Sequence, residues 1–381
     1  MIYLDNAATS FPKPPEVLEA VSAALSAPAS PGRSGHAASL AAARSIHRAR
    51  KNLARLFGLP DNSRLVFTAN ITWGLNTALE GLGLQPGDHV ISSAMEHNAV
   101  ARPLNRLAAE RGLVWETAPA DGHGFSSPDD FKKLLRPETR LVVLNHASNV
   151  SGSLAPAREI KAAVGEIPML LDAAQTAGAL DLSDAGDWLD MLAFTGHKGL
   201  LGPTGTGGLW VRPGLALRPL AVGGTGSASE SIRSPDFLPD ALEPGTANTH
   251  GLAGLAAGVE ALLKKGVDQI RAQEMKLTGI FLDGLSQIPG LTVWGPRDTN
   301  SRVATVSVTL KGYSSSELSA ALEREAGVLT RAGLHCAPLA HRHLGSFQGG
   351  GSTRFSLGPY NREEDLNSAL SALDRLARLK A

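Results

Sequence analysis

Two stretches, "RLVVLNHAS" (140–148) and "PMLLDAAQ" (168–175), run apolar for four residues and then turn polar. Neither alternates, so neither fits a strand with one wet face. Each reads as a strand covered on both sides, as in a parallel sheet packed between helices. Between them lies the helical "APAREIKAAVGE" (155–166). The same rhythm holds upstream. "ASLAAARSIHRARKNLARLFG" (38–58) is a long helix with Gly58 placed to end it, and "RLVFTA" (64–69) is a strand leading into the helical "TWGLNTALEGL" (72–82). "PGDHVISSA" (86–94) is a turn and a strand, and "NAVARPLNRLAAERG" (98–112) reads as a helix despite Pro103. "SPDDFKKLL" (127–135) opens a helix with Ser127 as N-cap and Pro128 at its first position. Repeated units of this kind predict an α/β fold with a mostly parallel sheet.

The rhythm changes near residue 246. "TANTHGLAGLAAGVEALLKKG" (246–266) is a Gly/Ala-rich helix suited to close packing. After it, "LTVWG", "RVATVSVTL", "SSSELSAALEREAG", "STRFSLG" and a charged last helix read as a smaller α+β unit. We expect a large domain over 16–250, a connecting helix over 251–264, and a small domain built from 1–15 and 265–381. The 36 basic residues balance 36 acidic ones, so charge recommends neither nucleic acid nor a membrane as partner. No apolar run approaches the ~20 residues of a spanning helix. One cysteine forms no internal disulfide, and the first residues carry no secretory pattern, which predicts a cytoplasmic protein.

Ligand sites in open α/β sheets lie beyond the carboxyl ends of the strands. That rule selects Asp172 at the end of "PMLLDAAQ" and Lys198 in "LDMLAFTGHKG" (189–199). Taken singly, Asp172 is equally a helix cap, and a lysine is usually solvated. Pyridoxal phosphate needs both: a lysine for a Schiff base and an acid facing its pyridine nitrogen. It also needs a phosphate cradle, and the strand–turn–helix around Asn70, Ile71 and Thr72 offers backbone N–H groups at a positive helix end. "GPTGTGG" (202–208) lacks dinucleotide spacing and reads as a turn into a strand. No H-E-x-x-H occurs and one cysteine cannot build a thiolate zinc site, so no metal centre is expected. His341 and His343 read as solvated or packing residues.

"YLDNAATS", "LLDAAQTAGAL", "TGHKGLLGPTGTGGLW", "GTANTHGL" and "TRAGLHCAP" resemble the class V aminotransferase superfamily, and within it the cysteine desulfurases, in the branch that includes selenocysteine lyases. The resemblance implies a pyridoxal-phosphate enzyme of fold type I, with a seven-stranded, mostly parallel sheet. It implies that Lys198 holds the cofactor and moves the Cα proton. Asp172 would pair with the ring nitrogen, Gln175 with the phenolic oxygen, and His97 in "SAMEHNA" would stack on the ring and serve as a further catalytic, proton-transfer group. Ile71 (through its backbone), Thr72, Thr195 and His197 would hold the phosphate, and Thr246 would reach the phosphate of a second subunit in a homodimer. Arg354 would clamp the substrate carboxylate with help from Asn149. His36 in "GRSGHAAS" is assigned equally to the substrate site or to structure.

Within this resemblance Cys336 is the nucleophile that takes sulfur from L-cysteine as a persulfide, leaving L-alanine. Only a thiolate attacks, so its pKa must fall from about 8.5, and His335 with Arg331 is the expected cationic source. Ile71, Trp73 and Thr195 depart from the family's usual residues, which leaves L-selenocysteine as an alternative substrate. A related lyase or aminotransferase, or a non-catalytic sulfur-trafficking protein, remain open as rivals. The sulfur acceptor stays open too: an iron–sulfur assembly scaffold, a thiolation partner or a free thiol.

Overall fold

The computed structural model describes residues 1–28, 30–31 and 35–380. The chain opens with β1 (Ile2–Tyr3), α1 (Pro15–Leu25) and the long α2 (Ala37–Leu56). Strands and helices then alternate through β2 (Leu65–Thr68), α3 (Ile71–Gly81), β3 (His89–Ser93), α4 (Asn98–Arg111) and β4 (Val114–Ala118). The series continues with α5 (Pro128–Leu134), β5 (Thr139–Asn145), α6 (Ala157–Val164), β6 (Met169–Asp172), α7 (Ala185–Trp188), β7 (Met191–Thr195) and β8 (Gly207–Val211).

These strands, from β2 onward, form one seven-stranded sheet in the order β2-β8-β7-β6-β5-β3-β4. The pairs between β4 and β7 are parallel, while β8 runs antiparallel to both β7 and β2. The unbroken apolar runs have a direct cause. Val142, Leu144, Leu171, Leu192 and Phe194 pack into the core beneath α2, α6 and α8, and the alternate residues Leu141, Val143, Leu170, Met191 and Ala193 pack into the opposite core under α3 and α4. Each fully buried side chain of this size contributes about 1.5–3 kcal/mol of transfer free energy, so both faces must be apolar. The parallel strands end at Ser93, Asn145, Asp172 and Thr195 along one edge, and this edge carries the site.

Local signals hold in detail. Ser127 caps α5 in a reciprocal box with Asp130, and Pro128 follows it. Gly58 has φ +57° just beyond α2, as its placement predicts. The Gly/Ala-rich segment forms α8 (Thr249–Lys265), which lies against α1 and α2. Its glycines permit the approach: a Cβ on Gly254 would stand 2.6 Å from Val21, and one on Gly258 would stand 2.7 Å from the Leu200 carbonyl.

After α9 (Val267–Leu285) come β9 (Leu291–Trp294), β10 (Thr305–Leu310), α10 (Ser315–Ala326), β11 (Val328–Leu329), β12 (Arg331–Gly333), α11 (Pro338–Leu344), β13 (Ser352–Ser356) and α12 (Glu363–Leu379). Four of these strands form an antiparallel sheet, β12-β13-β10-β9, whose core gathers Val306, Val308, Phe355, Leu318 and Leu373. The first strand returns to this half: β1 pairs with β11, and Leu4 enters the same core. Among the described residues, no helix is long and apolar enough to cross a membrane, and no cluster of three or more His, Cys, Asp or Glu could hold a metal ion.

Helix α10 packs behind β12 and starts with a reciprocal box between Ser314 and Glu317. Ser314→Ala removes that cap and should cost about 1 kcal/mol, read as a lower urea midpoint with an unchanged slope.

Candidate active site

Lys198 lies on the turn after β7. That turn is clasped by the N-terminal arm: the His197 carbonyl accepts from the Ser10 N–H (3.0 Å), Thr9 Oγ1 (3.1 Å) and Lys13 Nζ (2.8 Å), and the Lys198 carbonyl accepts from Ser10 Oγ (2.9 Å). Lys198 helps to line a narrow cavity of about 50 Å³, shared with Gln175, Asn6 and Glu274. Burial brings its amine down to about 8, against the pull of Asp172 toward the charged form. Asp172 is buried at the tip of β6 and accepts from the Ala174 N–H (2.9 Å). Burial pushes its carboxyl up, opposed by that hydrogen bond and by Lys198.

Beside them stands an arginine pair. Arg354 on β13 and Arg331 on β12 are cross-strand partners. Arg354 is only 1% exposed. It donates to the Asp5 carboxylate (2.7 Å) and the Asn149 carbonyl (3.1 Å), and its Nε is buried without a partner. Arg331 is the more open of the two, and its guanidinium lies 3.7 Å from Cys336 Sγ.

Cys336 is exposed on a fixed turn. Its backbone carbonyl accepts from the Asn98 N–H (2.8 Å), and the His335 carbonyl accepts from Asn149 Nδ2 (2.8 Å). Both residues have left-handed backbones, φ 49° at His335 and 57° at Cys336, a conformation costly for side chains with a Cβ and concentrated at functional sites. His335 corrects an expectation. Its ring is buried and bonded to Ser352 Oγ (3.1 Å), and burial with the nearby arginines brings its pKa to about 2. A neutral imidazole brings no cation to Cys336; of the two residues expected to do so, Arg331 is the one beside its Sγ. His341 is likewise buried, bonded to Ser346 Oγ (2.7 Å), whereas His343 is exposed.

His97 caps α4, with Nδ1 accepting from the Ala99 N–H (3.0 Å), so its proton sits on Nε2. Burial, then Lys198 and three arginines, hold it near 4 and therefore neutral. Asn70 caps α3 by accepting from the Trp73 N–H, leaving the first-turn N–H groups of Ile71 and Thr72 pointing outward. Gly207 on β8 permits the tight approach here: a Cβ would stand 2.6 Å from the Asn70 backbone. Thr195 is buried at the end of β7, and His197 Nδ1 is buried without a partner.

Thus the structure gathers Lys198, Asp172, Arg354, Arg331, Asn149, His97 and Cys336, and Gln175 adjoins through Ala7 and the small cavity. Thr246 is set apart in an exposed cleft with Gly205 and Asn248. His36 is exposed and caps α2 by accepting from the Ser39 N–H (3.2 Å); residues 32–34 of its loop lie outside the described residues. Sequence reasoning missed Asp5, Ser10, Lys13 and Glu96. For Asp5 a signal existed: it is the acid of "YLDNAATS", the first motif the resemblance rests on.

The class-V aminotransferase model matches residues 2–368. A probable cysteine desulfurase of Pseudomonas aeruginosa is 34% identical over all of this chain and 94% of its own. One from Methanothermobacter thermautotrophicus is 30% identical over 99% and 94%. The apo cysteine desulfurase of Thermococcus onnurineus superimposes with a TM-score of 0.92 at 30% identity, covering 99% of this chain and 94% of that one. The chain belongs to the class-V aminotransferase family, and within it to the cysteine desulfurases.

Asp5→Asn removes the carboxylate from a buried guanidinium. It should lower unfolding free energy by about 3 kcal/mol, measured by urea denaturation.

Proposed function

We propose that this chain converts L-cysteine to L-alanine with pyridoxal phosphate as cofactor, passing the sulfur to Cys336 as a persulfide. The observation that carries the reading is one cluster holding a buried amine of lowered pKa, a strand-tip acid, a paired-arginine wall and an exposed thiol against one of those arginines. The residues fit the cofactor. Outward N–H groups of α3, Thr72, Thr195 and the unpartnered His197 Nδ1 suit its phosphate, Asp172 suits a protonated ring nitrogen, and Gln175 suits the phenolic oxygen. Bound there, pyridoxal phosphate supplies an electron sink for negative charge at the substrate's Cα.

The chain's own groups do the rest. Lys198 Nζ, neutral above about pH 8, takes the proton from Cα and returns it later. Neutral His97 covers one face of the ring and excludes water. Arg354, with its unpaired Nε, and Asn149 orient the substrate carboxylate. Arg331 places a cation 3.7 Å from the Cys336 Sγ. Cys336 Sγ attacks the substrate sulfur: the S–S bond forms as the Cβ–S bond breaks, the electron pair stays on Cβ, and that carbon takes a proton as alanine leaves.

We assign the cofactor domain to 16–250, the connecting helix to 251–264 and the small domain to 1–15 with 265–381. We place the enzyme in the cytoplasm as a homodimer, with exposed Thr246 completing the partner's phosphate site and a protein or small thiol collecting the sulfur.

Mass spectrometry after L-cysteine should find one added sulfur on the peptide carrying Cys336. Cys336→Ala should form alanine from L-cysteine at least about tenfold more slowly while still taking up cofactor. Undiminished cysteine turnover in that variant overturns the persulfide route, and turnover of selenocysteine alone favours the lyase reading. Covalent loading of cofactor-depleted protein, trapped by borohydride, should speed up as pH rises toward about 8 and level off above it, following the neutral Lys198 amine. Lys198→Ala should trap none.

A further inference from the structure

We propose that Glu96 is a positioning residue of this site: its carboxylic acid ties the ends of β3 and β5 together and thereby fixes His97 and the backbone beside Asp172. The inference rests on the pyridoxal-phosphate reading for its consequence, though not for its geometry.

Glu96 has no exposed surface. Its Oε1 gathers three donors, Ser93 Oγ (2.6 Å), the Asn145 N–H (2.8 Å) and the Ser93 N–H (3.3 Å), while Oε2 is buried with no partner. The Asn145 side chain returns the tie by donating to the Met95 carbonyl (2.9 Å). The turn from β3 into α4 is thus stapled to the tip of β5 on both sides of Glu96. His97 is the next residue, and Asn145 is the register partner of Asp172 in the β5–β6 ladder. One carboxyl therefore braces both groups assigned to the ring.

The groups facing Glu96 are Ser93 from β3, Asn145 from β5 and Asp172 from β6, with His97 following on α4; only Asp172 brings a charge, and it is negative. Burial, reinforced by Asp172, pushes Glu96 up to about 8. Two buried carboxyls thus have unlike surroundings, one with the Lys198 cation in reach and one with none. Burial raises both carboxyls; Lys198 draws Asp172 back toward its charged form, while the charge facing Glu96 is that of Asp172 and only reinforces its rise. A neutral Glu96 adds no negative charge beside Asp172. An ionised Glu96 would raise Asp172 further and weaken its grip.

Glu96→Gln keeps the accepting oxygen and the neutral form; Glu96→Ala removes the staple. In full-length protein stripped of cofactor and titrated with pyridoxal phosphate, E96Q should bind within about threefold of wild type with the same visible circular dichroism. E96A should bind at least about tenfold more weakly, with an altered band. Wild-type affinity and band in E96A overturn the proposal, and so does an E96Q as impaired as E96A. Cofactor-free melting supplies the second test, valid even where E96A does not fold. Between an unfolded pKa near 4.5 and a folded one of about 8, only the native state keeps the Glu96 proton, so this group's contribution to stability falls as pH rises through that window. E96Q should show a shallower decline in melting temperature from about pH 6.5 to 8. Equal slopes overturn the proposal. Wild-type protein that takes up no cofactor at all sinks the function reading, and the slope comparison still decides Glu96.

Discussion

A guanidinium shut away from water dictates much of this architecture. Arg354 brings a full charge into the interior on β13 and answers it with one carboxylate, Asp5, and one carbonyl, that of Asn149. Those two partners come from the N-terminal arm and from the loop after β5, so three distant parts of the chain must dock before the charge is satisfied. Desolvating such a group without partners costs several kcal/mol. The large sheet, the small sheet and the arm are therefore coupled at the point where a substrate carboxylate would bind. The same loop bears Asn149 Nδ2, which holds the His335 carbonyl, so the coupling reaches the cysteine turn through one side chain.

Charge in this region is distributed by burial more than by residue type. Lys198, Arg331 and Arg354 supply cations, and each suppresses protonation of its histidine neighbours, which burial already disfavours. His97 and His335 are consequently neutral hydrogen-bonding groups. His197 follows the same pattern under Lys198 and Lys13. The acids are divided as well, with Asp5 committed to Arg354 and Asp172 accepting from the Ala174 N–H within reach of Lys198. What results is an electropositive hollow with one dedicated acid, suited to an amino-acid carboxylate and a phosphate together.

The sheet was legible because its signal is local. Four apolar residues in a row at 141–144 and 168–171 admit few alternatives, and the strand-end rule then selected Asp172 and Lys198 without any contact being known. Helix caps such as Ser127 were equally readable from neighbours a few positions away. The arm was not. Asp5 meets Arg354 across 349 positions, and Ser10 meets Lys198 across 188, so nothing near either residue announces its partner. Glu96 was hidden for a different reason. An acid beside a histidine looks like a solvated side chain until the ends of two strands close over it. His335 was misjudged because adjacency to a cysteine suggests a cation, whereas the sign of its effect is decided by what buries it.

The placement of sulfur chemistry follows from these constraints. The Asn149 side chain and the Asn98 N–H hold the two carbonyls of the left-handed His335–Cys336 step, which fixes the main chain that carries the thiol. Arg331 stands between that thiol and Arg354 on a single sheet face. On the proposed reading, a substrate held by its carboxylate at Arg354 would extend past Arg331 toward the exposed Cys336, with its Cα by Lys198 inside. Proton transfer would then take place where water is scarce, and sulfur transfer where a second molecule can approach. The separation requires that Cys336 be exposed and Arg354 be sealed, and a chain with those two exposures reversed could bind the same amino acid but could not hand on its sulfur.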